Sequence, residues 1–234
     1  MQAVILAGGK GTRLAPYTMV FPKPLMPIGD MPILEIVIRQ LKKHDFTKIV
    51  LAVGHLSGLI EAYFGDGSKW GVDITYSRED QPLGTAGPIA LLDDLDENFL
   101  VMNGDLLTDI DYSNLMLHHI KSNALSTVSI HTKDVPINLG VLELDDAGKI
   151  VNYIEKPTLK YKVSMGVYVL NKEILNYIDR GKYLDLPDLI KILLIKNKNV
   201  SGYLFEGYWM DIGRHEDYSK VLEEFESVKE KLLP

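Results

Sequence analysis

Short apolar runs rich in β-branched residues alternate with stretches of helical periodicity along the first half of the chain. Residues 2–7, 48–53, 72–77 and 99–103 read as strands, and residues 32–44, 56–64 and 85–95 between them read as helices. In the first of these helices Ile33, Ile36, Val37 and Leu41 recur at helical spacing and so share one apolar face. Three successive strand-to-helix connections predict an α/β fold, an open and mainly parallel sheet flanked by helices. From residue 125 the texture changes to strand-like runs at 126–132, 139–144, 150–154 and 164–170, with Asp145-Asp146-Ala147-Gly148 as a hairpin turn. A small additional β-sheet region is therefore expected in the second half. Helical segments at 171–178 and 185–196, a strand at 200–205, a Trp-containing segment at 207–213 and an amphipathic helix over about 215–231 complete the pattern.

No linker, repeat or low-complexity tract interrupts the 234 residues. The length predicts one domain, with halves of about 1–124 and 125–213 and a terminal helix over 214–234. Five of the eleven prolines, Pro16, Pro22, Pro24, Pro27 and Pro32, crowd one stretch, which is expected to be a stiff surface loop draped over the sheet. A long ordered loop of this kind points to function. A hydrophobic fraction of 46% with 24% charged residues excludes disordered and fibrous classes. The formal charge of −7 argues against nucleic acid as the main partner, although a few local cations can still hold small anions. The absence of cysteine excludes disulfides, thiolate zinc sites and a cysteine nucleophile. No apolar run reaches the ~18 residues that cross a bilayer, and the first residues carry no basic leader, so a cytoplasmic protein without a membrane anchor is expected.

The first strand runs into Leu6-Ala7-Gly8-Gly9-Lys10-Gly11-Thr12-Arg13-Leu14. Three glycines in four positions allow a tight turn and close approach of backbone amides to a ligand, and Lys10 and Arg13 suit a polyphosphate. Neither the G-x-G-x-x-G spacing nor a Gly-Lys-Ser/Thr sequence is present, which excludes the two commonest phosphate loops. Ten residues on, Phe21-Pro22-Lys23-Pro24-Leu25 clamps a lysine between prolines, as if to aim its ammonium at a fixed anion.

Together these two elements resemble the nucleotidyltransferases that make nucleoside-diphosphate sugars from an NTP and a sugar 1-phosphate. The resemblance spans essentially the whole chain and implies a Rossmann-like, GT-A-like fold with a sugar-side sheet. It also implies that Leu6, Ala7, Gly8, Gly9, Gly11, Thr12, Arg13 and Lys23 hold the triphosphate, with Arg13 and Lys23 as catalytic cations. Gln81-Pro82-Leu83-Gly84-Thr85-Ala86-Gly87 resembles the loop that contacts the nucleobase, through Gln81, Gly84 and Thr85, and a capping role for Thr85 is the alternative. Val101-Met102-Asn103-Gly104-Asp105 resembles the Gly-Asp motif whose aspartate binds magnesium and NTP, and Trp209-Met210-Asp211-Ile212-Gly213 resembles a Trp-x-Asp-Ile-Gly signature that makes Asp211 the second magnesium carboxylate. Glu155-Lys156-Pro157 resembles the motif that addresses sugar hydroxyls and sugar phosphate, with Gly140 and Gly166 giving close backbone approach.

Other features read as structural. Asp109-Ile110-Asp111 precedes a helix and suits capping, adjacent His118 and His119 face different ways, Trp209 packs, and Phe225 turns inward from a solvated helix face. The texture of 23–35 and 83–87 is closest to guanylyltransferases acting on mannose 1-phosphate or related heptose and glucose sugars, with uridylyl and thymidylyl transfer to glucose 1-phosphate as alternatives. The implied partners are an NTP, with GTP favoured, a sugar 1-phosphate and magnesium, in a monomer or homo-oligomer. A glycosyltransferase consuming NDP-sugar would not need Arg13 and Lys23 at a pyrophosphate leaving group, and a silent nucleotide-sugar sensor should have lost a cation or a carboxylate.

Overall fold

The computed structural model describes residues 1–79 and 81–233. In chain order it comprises β1 (Gln2–Ala7), β2 (Pro27–Ile28), β3 (Met31–Pro32), α1 (Ile33–Lys43), β4 (Lys48–Val53), α2 (Ser57–Phe64), β5 (Asp73–Arg78), β6 (Asn98–Asn103) and β7 (Leu106–Thr108). The second half contains α3 (Tyr112–Ser122), β8 (Ser126–Pro136), β9 (Val141–Leu144), β10 (Ile150–Ile154), β11 (Thr158–Asn171), α4 (Leu186–Ile195), β12 (Val200–Phe205), β13 (Trp209–Asp211) and α5 (His215–Leu232).

Seven strands form one sheet in the order β12-β8-β11-β6-β1-β4-β5. Only β11 runs against the others, as its antiparallel ladders with β6 and β8 require. The expected α/β architecture with a mainly parallel sheet is thus the observed one. The sheet is covered on both sides, as parallel strands demand. Leu34, Val37 and Leu41 of α1, with Ile60, Phe64 and Leu115, pack on Ile5, Leu51 and Met102. On the other face Leu189 and Leu193 of α4 join Ile89 against Val4, Val101 and Leu170. Val221 and Phe225 of α5 close a third cluster over Leu14, Ile28, Ile33 and Ile212, so the terminal helix pins the proline-rich segment in place.

Several expectations are corrected. Of the strands expected to form an additional sheet in the second half, β8 and β11 join the main sheet, and β9 and β10 pair with each other outside it. Residues 85–95 are not a helix but a 3₁₀ turn over Gly87–Leu91, because Pro88 removes a donor and Gly84 and Gly87 are pressed against residues 182–185. The proline-rich segment is not a plain surface loop either. It folds into 3₁₀ turns at Thr12–Leu14, Tyr17–Met19 and Lys23–Leu25, and buries Lys23, Pro24 and Leu25. β8 and β11 also extend well past their expected ends, and residues 132–136 with 158–164 leave the main sheet as a two-stranded ribbon that continues into the β9–β10 hairpin.

Candidate active site

From β1 the chain winds outward through β4 and β5, then returns to place β6 on the opposite side of β1. The carboxyl ends of β1 and β6 therefore flank the point where the winding reverses, the place where open α/β sheets leave a crevice. A cavity of about 780 Å³ opens there. Its wall includes Leu6, Ala7, Gly8, Gly9, Gly11, Thr12, Arg13, Lys23, Gln81, Gly84, Thr85 and Asp105, every residue that the resemblance assigns to the nucleotide.

The glycine loop is shaped by close packing. A Cβ at Gly8 would lie 2.8 Å from Glu79 Oε1 and 3.2 Å from the Gly54 nitrogen, so only glycine lets the ends of β1, β4 and β5 converge. Gly11 has a φ of 60°, after which the Leu14 amide donates to the Gly11 carbonyl at 2.9 Å and closes the 3₁₀ turn carrying Arg13. Among the described residues the amides of Gly9, Lys10 and Gly11 have no protein acceptor, which leaves them available to an anion.

Lys23 enters from the opposite wall. Its 3₁₀ turn is closed by the Leu25 and Met26 amides donating to the Pro22 and Lys23 carbonyls, and its ammonium is ion-paired with Asp105 Oδ2. The expected surface lysine is in fact buried, and the fixed anion it meets is a carboxylate. Asp105 itself follows Gly104, whose amide donates to the Leu6 carbonyl at 2.9 Å. Asp105 and Asp211, far apart in sequence, are brought together by the antiparallel pairing of β7 with β13, which sets Asp211 opposite Leu106 and lets the Ile212 amide donate to the Asp105 carbonyl at 3.2 Å.

The electrostatics of this corner follow from the pairing. Burial pushes the Asp211 carboxyl above its ordinary range and the Asp105 charge pushes the same way, whereas Lys23 and Arg13 pull it back. Asp211 keeps an open outer surface while protein surrounds its inner side. Asp105 Oδ1 is buried without a hydrogen-bond partner. An orphaned carboxylate oxygen beside a second carboxylate fits a divalent cation. Among the described residues no three acidic or His side chains form a protein cage, but magnesium usually takes one or two carboxylates and completes its shell with phosphate and water.

The sugar-side residues are arranged differently. Gly166, with a φ of 74°, sits at a register break of β11, and a Cβ there would approach Asn103 Nδ2 to 2.7 Å, so it abuts the cavity wall. Gly140, Glu155 and Lys156 cluster outside the cavity, on the exposed ribbon. Tyr153 covers Gly140 so closely that a Cβ would come within 2.3 Å of its hydroxyl, and that hydroxyl donates to Glu155 Oε2 at 2.8 Å. Lys156 and Glu155 form a loose exposed ion pair at 3.9 Å.

Thr85 has a structural role as well as its place in the wall. Its hydroxyl accepts from the Leu186 amide at 2.7 Å, and its amide donates to Asp185 Oδ1 at 3.0 Å, so it caps the start of α4 from outside. Asp111 caps α3 by accepting from the Asn114 amide at 2.8 Å, Asp109 accepts from the Tyr208 amide at 2.7 Å, and Trp209 Nε1 donates to the Met165 carbonyl at 3.0 Å. The cavity also takes in His55, Glu79, Asn103 and Tyr183, which sequence reasoning missed. The first three stand at or just past the end of a parallel strand, a positional signal that could have found them. Burial raises the Glu79 carboxyl above its ordinary value, partly offset by the Leu83 amide, which donates to it at 2.7 Å.

The UTP–glucose-1-phosphate uridylyltransferase of Synechocystis is 36% identical over 95% of this chain, and the mannose-1-phosphate guanyltransferase of Yarrowia lipolytica 34% over 93%. The chain spans 62% of the length of each. The crystal structure of a candidate glucose-1-phosphate thymidylyltransferase from Bacillus anthracis superposes with a TM-score of 0.78 at 27% identity, covering 95% of this chain and 94% of that one. With the Nucleotidyl transferase model matching residues 2–228, the chain belongs to the Nucleotidyl transferase family.

Proposed function

We propose that the chain joins an NTP and a sugar 1-phosphate to give NDP-sugar and pyrophosphate, with GTP and mannose 1-phosphate, or a related heptose or glucose sugar, as its preferred pair. The observation that carries the reaction class is the convergence of the glycine loop, Arg13, Lys23 and Asp105 around one cavity at the switch point, with Asp211 beside Asp105 at its edge. The guanylyl preference rests on the texture of residues 23–35 and 83–87 and on the name of the Yarrowia relative. In this reading residues 1–124 bind the nucleotide and 125–213 the sugar phosphate within one domain.

A sugar 1-phosphate, with a second pKa of about 6, is mostly dianionic at neutral pH and needs no general base. One of its oxygens attacks the α-phosphorus and forms a new P–O bond. The bond from the α-phosphorus to the bridging oxygen breaks, and its electron pair leaves with pyrophosphate. Repulsion between two polyanions is the obstacle, so the protein contributes in-line positioning and cations. The free amides of Gly9 and Gly11, with Arg13, hold the triphosphate, and Lys23 exchanges Asp105 for phosphate oxygens as they arrive. Gln81, Gly84 and Thr85 receive the base. Asp105 and Asp211 would hold magnesium, which neutralises phosphate charge when bound. Glu155 and Lys156 take the sugar hydroxyls and phosphate, a role that requires their ribbon to approach the cavity.

A uridylyl or thymidylyl preference with glucose 1-phosphate is the second reading, favoured by the name and identity of the Synechocystis relative. Incubating the protein with ATP, GTP, CTP, UTP or dTTP against several sugar 1-phosphates, scored by pyrophosphate release, tests both. A clear UTP or dTTP preference rejects the guanylyl assignment and keeps the reaction class. No pyrophosphate from any pair, with folded protein and magnesium present, rejects the class.

A further inference from the structure

Between the glycine loop and Lys23 the chain makes a short excursion whose central turn hides a polar residue and shows apolar ones. In the 3₁₀ turn Tyr17–Met19 the buried residue is Thr18, 3% exposed, while Met19 and the following Val20 are 70% and 75% exposed. A buried hydroxyl costs stability unless it finds a partner. Thr18 Oγ1 donates to the Gly11 carbonyl at 2.7 Å. Thr18 is not part of the cavity wall, so it holds the loop from behind.

The Gly11 carbonyl also accepts from the Leu14 amide at 2.9 Å, so both of its lone pairs are taken by protein. A carbonyl held by two donors fixes the plane of the Gly11–Thr12 peptide. Across a planar trans bond the Thr12 N–H lies anti to that carbonyl, and is therefore turned away from Thr18. Thr12 lines the cavity and its amide has no acceptor among the described residues, so it joins the free amides of Gly9, Lys10 and Gly11. The methyl side of Thr18 fits as closely. A Cβ on Gly11 would come within 2.8 Å of the Thr18 methyl carbon and 3.4 Å of Lys23 Cβ, so Gly11 is gripped between them. A second tie secures the excursion from outside, where His215 Nε2 donates to the Ala15 carbonyl at 2.8 Å and its ring lies 5.6 Å from that of Tyr17.

We infer that Thr18 is a positioning residue for nucleotide binding, whose hydroxyl holds the Gly11–Thr12 peptide with its N–H toward the triphosphate and itself touches no ligand. The inference rests on the proposed nucleotide site and deepens it. The hydroxyl and the methyl group can be separated. Thr18→Val keeps the methyl packing and removes the donor, whereas Thr18→Ser keeps the donor and removes the methyl.

Calorimetric titration with magnesium GTP, magnesium UTP and magnesium tripolyphosphate, in the absence of sugar 1-phosphate, reads the effect directly. Thr18→Val should weaken every one of these ligands that wild type binds by the same factor, about five- to ten-fold, the scale of one hydrogen bond. Thr18→Ser should stay within about two-fold of wild type, an order of effects that a packing role would reverse. In turnover the KM for NTP should rise in Thr18→Val and that for sugar 1-phosphate should not. Should Thr18→Val fail to fold, Thr18→Ala against Thr18→Ser isolates the same hydroxyl. A wild-type chain that binds none of the three ligands refutes the nucleotide site and this inference with it. If wild type binds them and the folded Thr18→Val binds as tightly, or Thr18→Ser is the weaker of the two, or the loss depends on the base, the inference alone is overturned.

Discussion

Replacing Lys23 by Met keeps the length of the side chain and removes its charge, which isolates what the ammonium does. In the wild-type chain the Lys23 side chain is 10% exposed and its partner Asp105 23%. The variant leaves Asp105 with one oxygen already orphaned, the other newly unpaired, and the Asp211 carboxylate beside it. Breaking a fully buried ion pair in this one-sided way costs about 3–5 kcal/mol. Here the open cavity admits water and Arg13 supplies a residual positive field, so the expected loss is about 2 kcal/mol. For a chain of this size that corresponds to a fall in Tm of about 4–8 °C.

Magnesium titration separates this account from a packing effect. With its resident cation gone the carboxylate pair should bind magnesium more tightly, so the metal alone should raise the Tm of Lys23→Met by more than it raises that of wild type. Turnover should fall about 10²–10³-fold, the scale of losing one charge-stabilising donor. A variant with wild-type Tm, the same response to magnesium and near-normal kcat would refute both the electrostatic role and the catalytic assignment.

Asp211→Asn should raise the Tm at neutral pH while abolishing most turnover. A carboxyl with a raised folded-state pKa favours the fold when protonated and opposes it once pH rises above the ordinary range of about 4, so the gain should vanish in acid. His119 should give the opposite slope. Burial, then the His118 charge, lowers its pKa to about 4, so the unfolded chain takes up the proton first and stability should drop by about 3 kcal/mol as pH falls from ~6.5 to ~4, a loss that His119→Asn removes in urea titrations. Gly166→Ala should lower the Tm and raise the KM for substrate, because its φ of 74° strains an L-residue and the new methyl group displaces Asn103 from the cavity wall. An unchanged Tm and KM for that variant would show that the bulge tolerates a side chain.

How legible the molecule was depended on whether the relevant force is local. The parallel strands and α1 are written in apolar periodicity, and the nucleotide loop in glycines at the end of a strand. Residues 85–95 were misread because a passable helical pattern hid Pro88 and two glycines that a neighbouring segment needs for contact. The ribbon strands were read short because, beyond the sheet, they lose the buried alternation that marks a half-covered strand. Burial of Lys23 ran against the ordinary expectation for lysine, and only the position of Asp105 accounts for it. The meeting of Asp105 with Asp211 has no local signal at all. It is a product of β7–β13 pairing and reached the sequence reading through family resemblance alone.

On the proposed function, the same corner would let an acidic chain take polyanions. Among the described residues around the cavity, Lys10, Arg13 and Lys23 stand against Glu79 and Asp105, with Asp211 at its edge, a local balance quite unlike the −7 of the whole. At 4 Å and an effective dielectric of about 20, one unit of charge contributes about 4 kcal/mol, so small local shifts decide the sign of the field. Raising Asp211 toward neutrality reduces the opposing charge, and a divalent cation on the carboxylate pair inverts it. In that reading the acidic remainder of the surface would disfavour extended polyanions that must lie across it, whereas a nucleotide small enough to enter the crevice would meet chiefly the cations and free amides of the glycine loop. On the proposed function, selectivity for small phosphates would then rest on the contrast between cavity and surface, and neutralising surface carboxylates should weaken it, read as a lower Kd for long polyphosphates, without changing a contact inside the site.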